Sequence, residues 1–293
     1  MSQQITSHEE KLSTSRFHGL WALTNRELKK WYQQPFVFVM GIIQPILWLA
    51  LLGKAMNIGN IVTGIPGVDP KLIMMHTFGT TNYFSFMAMS MIAFTVVFTT
   101  AFTGMSVVWD KRLGFMNKVL STPVARSAIV LSKVLSASVR AIFQAAIVAL
   151  VAFALGLTTG SNFAWWSILG VFGIVFIISV GLSSFFTALT LRATRMEMPQ
   201  AIFQLVTLPL MMASSAYFPI SQMPSWLQAV ANWNPISYTI DAVRRLMVFS
   251  GGMGNFQLAL GNQSLVFDFL FVSVFAILVT AICVVLSWKY LNK

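Results

Sequence analysis

Asp110, Lys111 and Arg112 stand side by side in the most highly charged internal stretch, Trp109 to Leu120. A carboxylate there suits the cap of a short helix, because it can accept from the free N–H groups of a first turn. Arg140 is the other charge that invites chemistry. It lies about two turns inside an apolar run, where it either snorkels to the nearer interface or meets a lipid phosphate or a substrate. Asp110, Glu197 and Asp268 fall at or near the ends of apolar runs, so no two carboxylates are expected to pair inside a membrane. A proton-driven carrier usually needs an acid or a histidine there. His8, His18 and His76 are scattered and Cys283 stands alone in a greasy run, so no metal site, thiol cluster or disulfide framework is expected. No Gly-x4-Gly-Lys-[Ser/Thr] loop occurs, and Gly251-Gly252-Met253-Gly254 lacks both the lysine and a following helix, which leaves it a hinge. ATP hydrolysis by that route is therefore not expected in this chain. An intramembrane enzyme would need a base, nucleophile or metal cluster that the sequence does not offer.

The elements that carry these residues are membrane spans. Of 293 residues, 57% are hydrophobic and only 9% charged. Soluble domains carry about 25% charged residues. A hydrocarbon layer of ~30 Å needs ~20 mostly apolar helical residues. Six runs meet or approach that need: about Phe36 to Met56, Asn82 to Val108, Lys133 to Leu157, Trp165 to Leu191, Pro199 to Ala216 and Leu265 to Trp288. The expected fold is all-α, a polytopic membrane protein with six transmembrane helices. Residues 1–14 read as a flexible cytoplasmic tail, with no apolar core and cleavage site to suggest a signal peptide. Residues 15–34 read as an amphipathic interfacial helix, with Phe17, Leu20, Trp21, Leu28 and Trp31 on one face and most cations on others. Residues 35–293 form the six-span transmembrane domain. Within it, 110–121 is a short helix outside the bilayer, ended near Pro123. About 218–249 is a pair of short helices, the second capped by Asn234 with Pro235 in its first turn. Neither is long enough to cross, and both are too apolar for open water, so a re-entrant pair on the extracellular side is expected.

The formal net charge of +11 would suggest nucleic acid in a soluble protein. Here the cations mark span ends, and no nucleic-acid partner is expected. Most of the nineteen Lys and Arg cluster in the N-terminal segment, the 110–133 stretch, the Arg192–Arg195 turn and the C-terminal tip. Lys54, Lys71, Arg244 and Arg245 fall opposite, and Arg140 lies within a span. By the positive-inside rule this predicts a multi-pass protein of the cell membrane with both termini cytoplasmic.

Four sets of residues resemble those of ABC-2 type permeases, the membrane subunits of ATP-driven exporters, and most of all the daunorubicin-type drug-resistance branch. They are Arg26-Glu27-Leu28 with Gln44-Pro45-Ile46-Leu47-Trp48; Asp110 to Gly114 with Thr122-Pro123-Val124-Ala125-Arg126; Phe218-Pro219-Ile220 with Met223-Pro224; and Asn234 to Tyr238 with Arg244. The resemblance runs from about Leu20 to Leu286. One departure is the absence of a glycine expected soon after Tyr83-Phe84-Ser85-Phe86. The resemblance implies a separate ATP-binding cassette subunit that binds ATP and Mg, with no cofactor in this chain. It also implies a second permease copy, identical or not, in membrane lipid. The ATPase subunit would be contacted by Asp110, Lys111, Arg112, Leu113, Phe115 and Met116 in a coupling helix, and by Arg26 and Glu27 in the entry helix.

Within that reading the expected function is export of an amphiphilic drug-like or lipid-like substrate from the cytoplasm or inner leaflet. A lipid-linked polysaccharide is the alternative cargo, and an ATP-independent carrier or channel the alternative class. The substrate pathway is expected at Gln44, Trp48, Phe94, Phe98, Gln204, Thr207 and Met211, and an outer gate at Phe218, Trp226, Trp233 and Tyr238.

Overall fold

The computed structural model describes residues 16–33, 35–55, 78, 80, 82–122, 124–160, 163–247 and 264–290. The expected N-terminal tail, the loop carrying Asp69 and Lys71, the Gly251–Gly254 hinge and Lys293 lie outside them. All regular structure among the described residues is helical: α1 (Arg16–Tyr32), α2 (Pro35–Ala55), α3 (Tyr83–Arg112), α4 (Phe115–Leu120), α5 (Arg126–Ala154), α6 (Trp165–Thr190), α7 (Glu197–Met212), a 3₁₀ turn (Ile220–Gln222), α8 (Ser225–Ala231), α9 (Pro235–Met247) and α10 (Leu265–Tyr290).

By length and composition, four of these, α3, α5, α6 and α10, can cross a membrane. At ~1.5 Å per residue each exceeds a ~30 Å slab. The chain is thus a multi-pass membrane protein. α2 has 21 residues, with an apolar stretch over Gly41–Gly53. α7 has 16, and Pro209 inside it removes an amide donor from the last turn.

α3 is the central strut, with every residue from Tyr83 to Ala101 buried. Its many hydroxyls turn back on their own helix: Thr95 donates to the Met91 carbonyl at 2.8 Å, Thr99 to Thr95 at 2.7 Å and Thr100 to Val96 at 2.8 Å. That removes the cost of burying them. α2, α5, α6, α7 and α9 all pack on this strut. Gly104 lets α6 approach closely, since a Cβ there would meet the Phe186 carbonyl oxygen at 3.0 Å and Thr190 Cγ2 at 2.9 Å. α10 lies outside α6 and buries one stripe, Asp268, Val272, Ala276, Cys283 and Ser287. Its other faces expose Val266, Leu270, Ile277, Ile282 and Val285, which is what lipid favours.

Two boundaries differ from the sequence expectation, and both matter at the site. Asp110 does not begin a helix. α3 runs through it to Arg112, and the break comes at Leu113 and Gly114, where φ is +69°. α5 starts at Arg126 rather than Lys133, because nothing after Pro123 interrupts helix until the span is reached. Lys133 is therefore two turns inside a helix instead of at its start.

Candidate functional site: a buried charge node and an aromatic lane

Those two shifts bring α1, α3 and α5 together at one end of the bundle through buried charges. Lys133 of α5 places its ammonium 2.5 Å from Asp110 Oδ2, 2.9 Å from Ser106 Oγ and 3.4 Å from Glu27 Oε1. Lys30 of α1 lies 2.8 Å from Asp110 Oδ1 and 3.8 Å from Glu27 Oε1. Arg26 is 3.0 Å from Glu27 Oε1 and 3.7 Å from Asp110 Oδ1. The Ser106 hydroxyl donates to Glu27 Oε2 at 3.3 Å. Asp110, Glu27 and Lys133 are buried, while Arg26 and Lys30 are about one-third exposed. Three cations thus enclose two carboxylates, and each acid is shared between two or three helices. Buried charges persist only when paired like this.

The node reaches α4 through Arg26, whose guanidinium carbon sits 3.2 Å from the centroid of the Phe115 ring. Met116 and Val119 pack inward with Val107, Ile129 and Leu191. Lys111 donates to the Leu191 carbonyl at the end of α6, where a helix C-terminus favours a cation. Arg112, Trp109 and Leu113 face outward, with Trp109 and Leu113 one turn apart and both more than half exposed. The inward face of α4 is built on Met116 and Val119, with Leu120 partly buried against them, while Leu113, before the turn at Gly114, is exposed. Lys133 and Ser106 were not among the expected site residues. Their signal would have been the helical continuation upstream of Lys133.

A Cβ at Gly114 would meet nothing within 4 Å, so its φ of +69° alone restricts the position. Gly114→Ala is expected to cost about 1–2 kcal/mol, with Gly114→Asn costing less because Asn enters that region more readily. Thermal unfolding of the purified permease reads the difference, and equal losses for the two would rule out strain as the cause.

Further along α3 an aromatic lane joins α2, α3 and α7. Tyr217 contacts Trp48 at 6.1 Å and Phe94 at 5.7 Å between ring centroids. Phe203 contacts Phe98 at 6.3 Å and Phe102 at 6.1 Å. Phe94, Phe98, Thr207 and Met211 are buried, Trp48 is partly exposed, and Gln44 and Gln204 point outward. Tyr217, Phe203 and Phe102 complete the lane and were not expected there. Thr207 Oγ1 and Tyr217 Oη are buried and have no hydrogen-bond partner among the described residues. Arg140 bonds back to its own helix, donating from Nε to the Ser136 carbonyl at 3.2 Å.

The opposite end holds a second ionic cluster, in which Asp241 and Asp268 each pair with an arginine. Arg244 is fully buried. It donates from Nη2 to Ser90 Oγ at 2.7 Å and to the Ser215 carbonyl at 2.8 Å. Its Nη1 is 3.7 Å from Asp241 Oδ1, and it stacks 3.6 Å above Phe86. Arg245 Nε lies 3.4 Å from Asp268 Oδ2. The Asp241–Arg244 spacing of one helical turn was the sequence signal for this pair. Of the expected gate residues, Phe218, Trp226 and Trp233 are exposed, whereas Tyr238 is buried with its ring 4.0 Å from Phe271.

Among the described residues no group of three His, Cys, Asp or Glu could hold a metal. The chain is 28% identical over 234 residues to a protein named as the transport permease ycf38 of Cyanophora paradoxa, covering 78% of this chain and 73% of that protein. It is 24% identical over 230 residues to nodulation protein J of Rhizobium leguminosarum bv. trifolii, covering 78% and 80%. It is 25% identical over 181 residues to the daunorubicin resistance ABC transporter permease protein DrrB1 of Streptomyces coeruleorubidus, covering 62% and 63%. The ABC-2 type transporter family matches residues 18–248, a span that takes in the charge node, the aromatic lane and, of the second ionic cluster, Asp241, Arg244 and Arg245, with Asp268 beyond it. The chain therefore belongs to the ABC-2 type transporter family, as a membrane permease subunit distinct from the ATPase that family implies.

Proposed function

We propose that this permease exports an amphiphilic drug-like or lipid-like substrate from the cytoplasm or inner leaflet, driven by ATP and Mg bound in a separate subunit. Six spans, α2, α3, α5, α6, α7 and α10, thread the cell membrane with both termini cytoplasmic. α1 lies at the inner interface, and 218–249 dips in from the outer side as a lid. Two copies pair, most simply as a homodimer. The charge node is the observation that carries this reading. It locks α1, α3 and α5 into one body directly behind Trp109 and Leu113, so a push on that outward-facing pair moves three helices together. Packed elements shift as units rather than bending smoothly. Asp110 and Glu27 would hold this body together, while Arg112, Leu113 and α4 would meet the ATPase.

The aromatic lane supports the cargo class. Its rings offer an apolar wall, and the unspent hydroxyls of Thr207 and Tyr217 offer a few polar contacts, the usual make-up of a small-molecule path. The drug-resistance relative is in accord with such cargo. Two variants test the reading, with the complex in liposomes and a fluorescent anthracycline as probe. Leu113→Asp is expected to abolish co-purification of the ATPase subunit. Trp48→Ala, at the partly exposed end of the lane, removes the ring that touches Tyr217 and is expected to leave the complex assembled and reduce ATP-dependent probe movement at least tenfold. Probe movement that persists without ATP or without the ATPase subunit would mark an ATP-independent carrier and overturn the proposal.

A further inference from the structure

The expected lid, 218–249, consists of two parts with opposite surroundings. α9 is built into the bundle. Every residue from Pro235 to Arg244 is buried. Arg244 ties it to α3 through Ser90 and to the turn after α7 through the Ser215 carbonyl. Asn234, just before it, donates to the carbonyls of Leu210 and Ala213 at 2.7 Å each and accepts from the Ile236 amide at 3.0 Å. Its last turn is held as well, since the Gly160 amide donates to the Met247 carbonyl at 3.2 Å. On the far side Arg245 faces Asp268, and Tyr238 stacks on Phe271 of α10.

α8 is held far more lightly, with Ala231 its one buried residue. Its Trp226 and Val230 are exposed, as is Trp233 just beyond it. The Gln228 side chain donates only to the nearby Met223 carbonyl, at 2.7 Å. Among the described residues one side-chain hydrogen bond links the α8 segment to α9, from the Tyr238 hydroxyl to the Asn232 carbonyl at 2.8 Å. The segment has natural ends. Ile220 is buried and pins the 3₁₀ turn, Met223 and Pro224 are extended, and Asn234 is held by two carbonyls. One neutral hydrogen bond is far weaker than a set of charge-assisted ones in a buried setting. Local opening follows the weakest attachment.

We propose that Arg244 is a positioning residue that fixes α9 as an immobile post, and that the outer lid opens by movement of residues 223–233 alone. This rests on the reading of the chain as an ATP-coupled exporter with its lid on the outer side. Tyr238 then belongs to the post, acting as the catch that the flap releases, while Trp226 and Trp233 travel with the flap.

Hydrogen exchange on the permease–ATPase complex in nanodiscs tests this, comparing the nucleotide-free state with the state trapped by ATP, Mg and vanadate. The amides of 225–233 are expected to change exchange rate by roughly tenfold or more, and those of 235–247 by less than about twofold. A comparable change in both segments would overturn the proposal. So would a response at α1 and α4 with none at 225–233. Silence everywhere, α1 and α4 included, would sink the ATP-coupled reading itself and this inference with it. Arg244→Lys keeps the charge but loses the planar fork that meets Ser90 and the Ser215 carbonyl together. In that variant 235–247 is expected to exchange in step with the flap. An α9 that stays as protected as in the parent protein would show that Arg244 is not the clamp.

Discussion

Asp110→Asn is expected to be the most damaging single change at the charge-node end of the permease. The substitution preserves shape and removes only charge. Three cations lose a shared partner, and Lys133, almost fully buried, is left with Glu27 at 3.4 Å as its remaining carboxylate. Breaking a buried pair from one side typically costs about 3–5 kcal/mol, because the stranded charge has no water to return to. Lys133→Met should be milder, since Lys30 still holds Asp110 at 2.8 Å. Combining Asp110→Asn with Lys133→Met removes the stranded ammonium and is expected to recover part of the loss. Thermal unfolding of the detergent-solubilised permease measures all three. A double variant no more stable than Asp110→Asn alone would refute the stranded-charge explanation.

Arg244→Leu is expected to have an effect of similar size at the other end. Asp241 Oδ2 already lacks a hydrogen-bond partner, and removing the guanidinium leaves that fully buried carboxylate with the Ser215 hydroxyl, 3.4 Å from Oδ1, and no adjacent cation on its own turn. Ser90 loses the guanidinium donor to its hydroxyl, and the Ser215 carbonyl loses a donor as well. A cost of about 3–5 kcal/mol follows, against about 1–3 kcal/mol for Ser90→Ala, which removes the hydroxyl's bond to the Phe86 carbonyl and one acceptor of the guanidinium but leaves the ion pair. The yield of monodisperse protein and its unfolding temperature check this. A folded Arg244→Leu permease as stable as the Ser90→Ala one would show that the buried ion pair is not what holds α9.

Periodicity and punctuation made much of this architecture legible. The amphipathic run of α1, the Asn234 cap with Pro235 behind it, and the long apolar helices are all where local rules put them. The sites were less legible because they depend on where helices stop. Asp110 looks like a cap when a helix is assumed to begin beside it. Yet Val108 to Arg112 contains no breaker, so α3 runs on until Gly114 can turn it. Lys133 looks like the start of its span until α5 is seen to start a full two turns earlier. Arg244 and Arg245 looked like topology-marking charges of the second short helix, on the outer side. Their partners Ser90 and Asp268 are distant in sequence, and nothing local announces them. The aromatic lane was half visible for the same reason. Trp48 and Phe94 stand on recognisable spans, but Tyr217, which touches both, sits in an irregular turn with no periodic signal.

The Thr95 and Thr100 hydroxyls of α3 close on carbonyls of their own helix and leave neighbouring helices little to grip, unlike Thr99, which also meets Gln144 of α5. Thr95 and Thr100 could therefore be exchanged for cysteine with small loss. Both positions are fully buried, so such thiols would be shielded from aqueous reagents, and their reactivity would report any opening of the middle of the bundle.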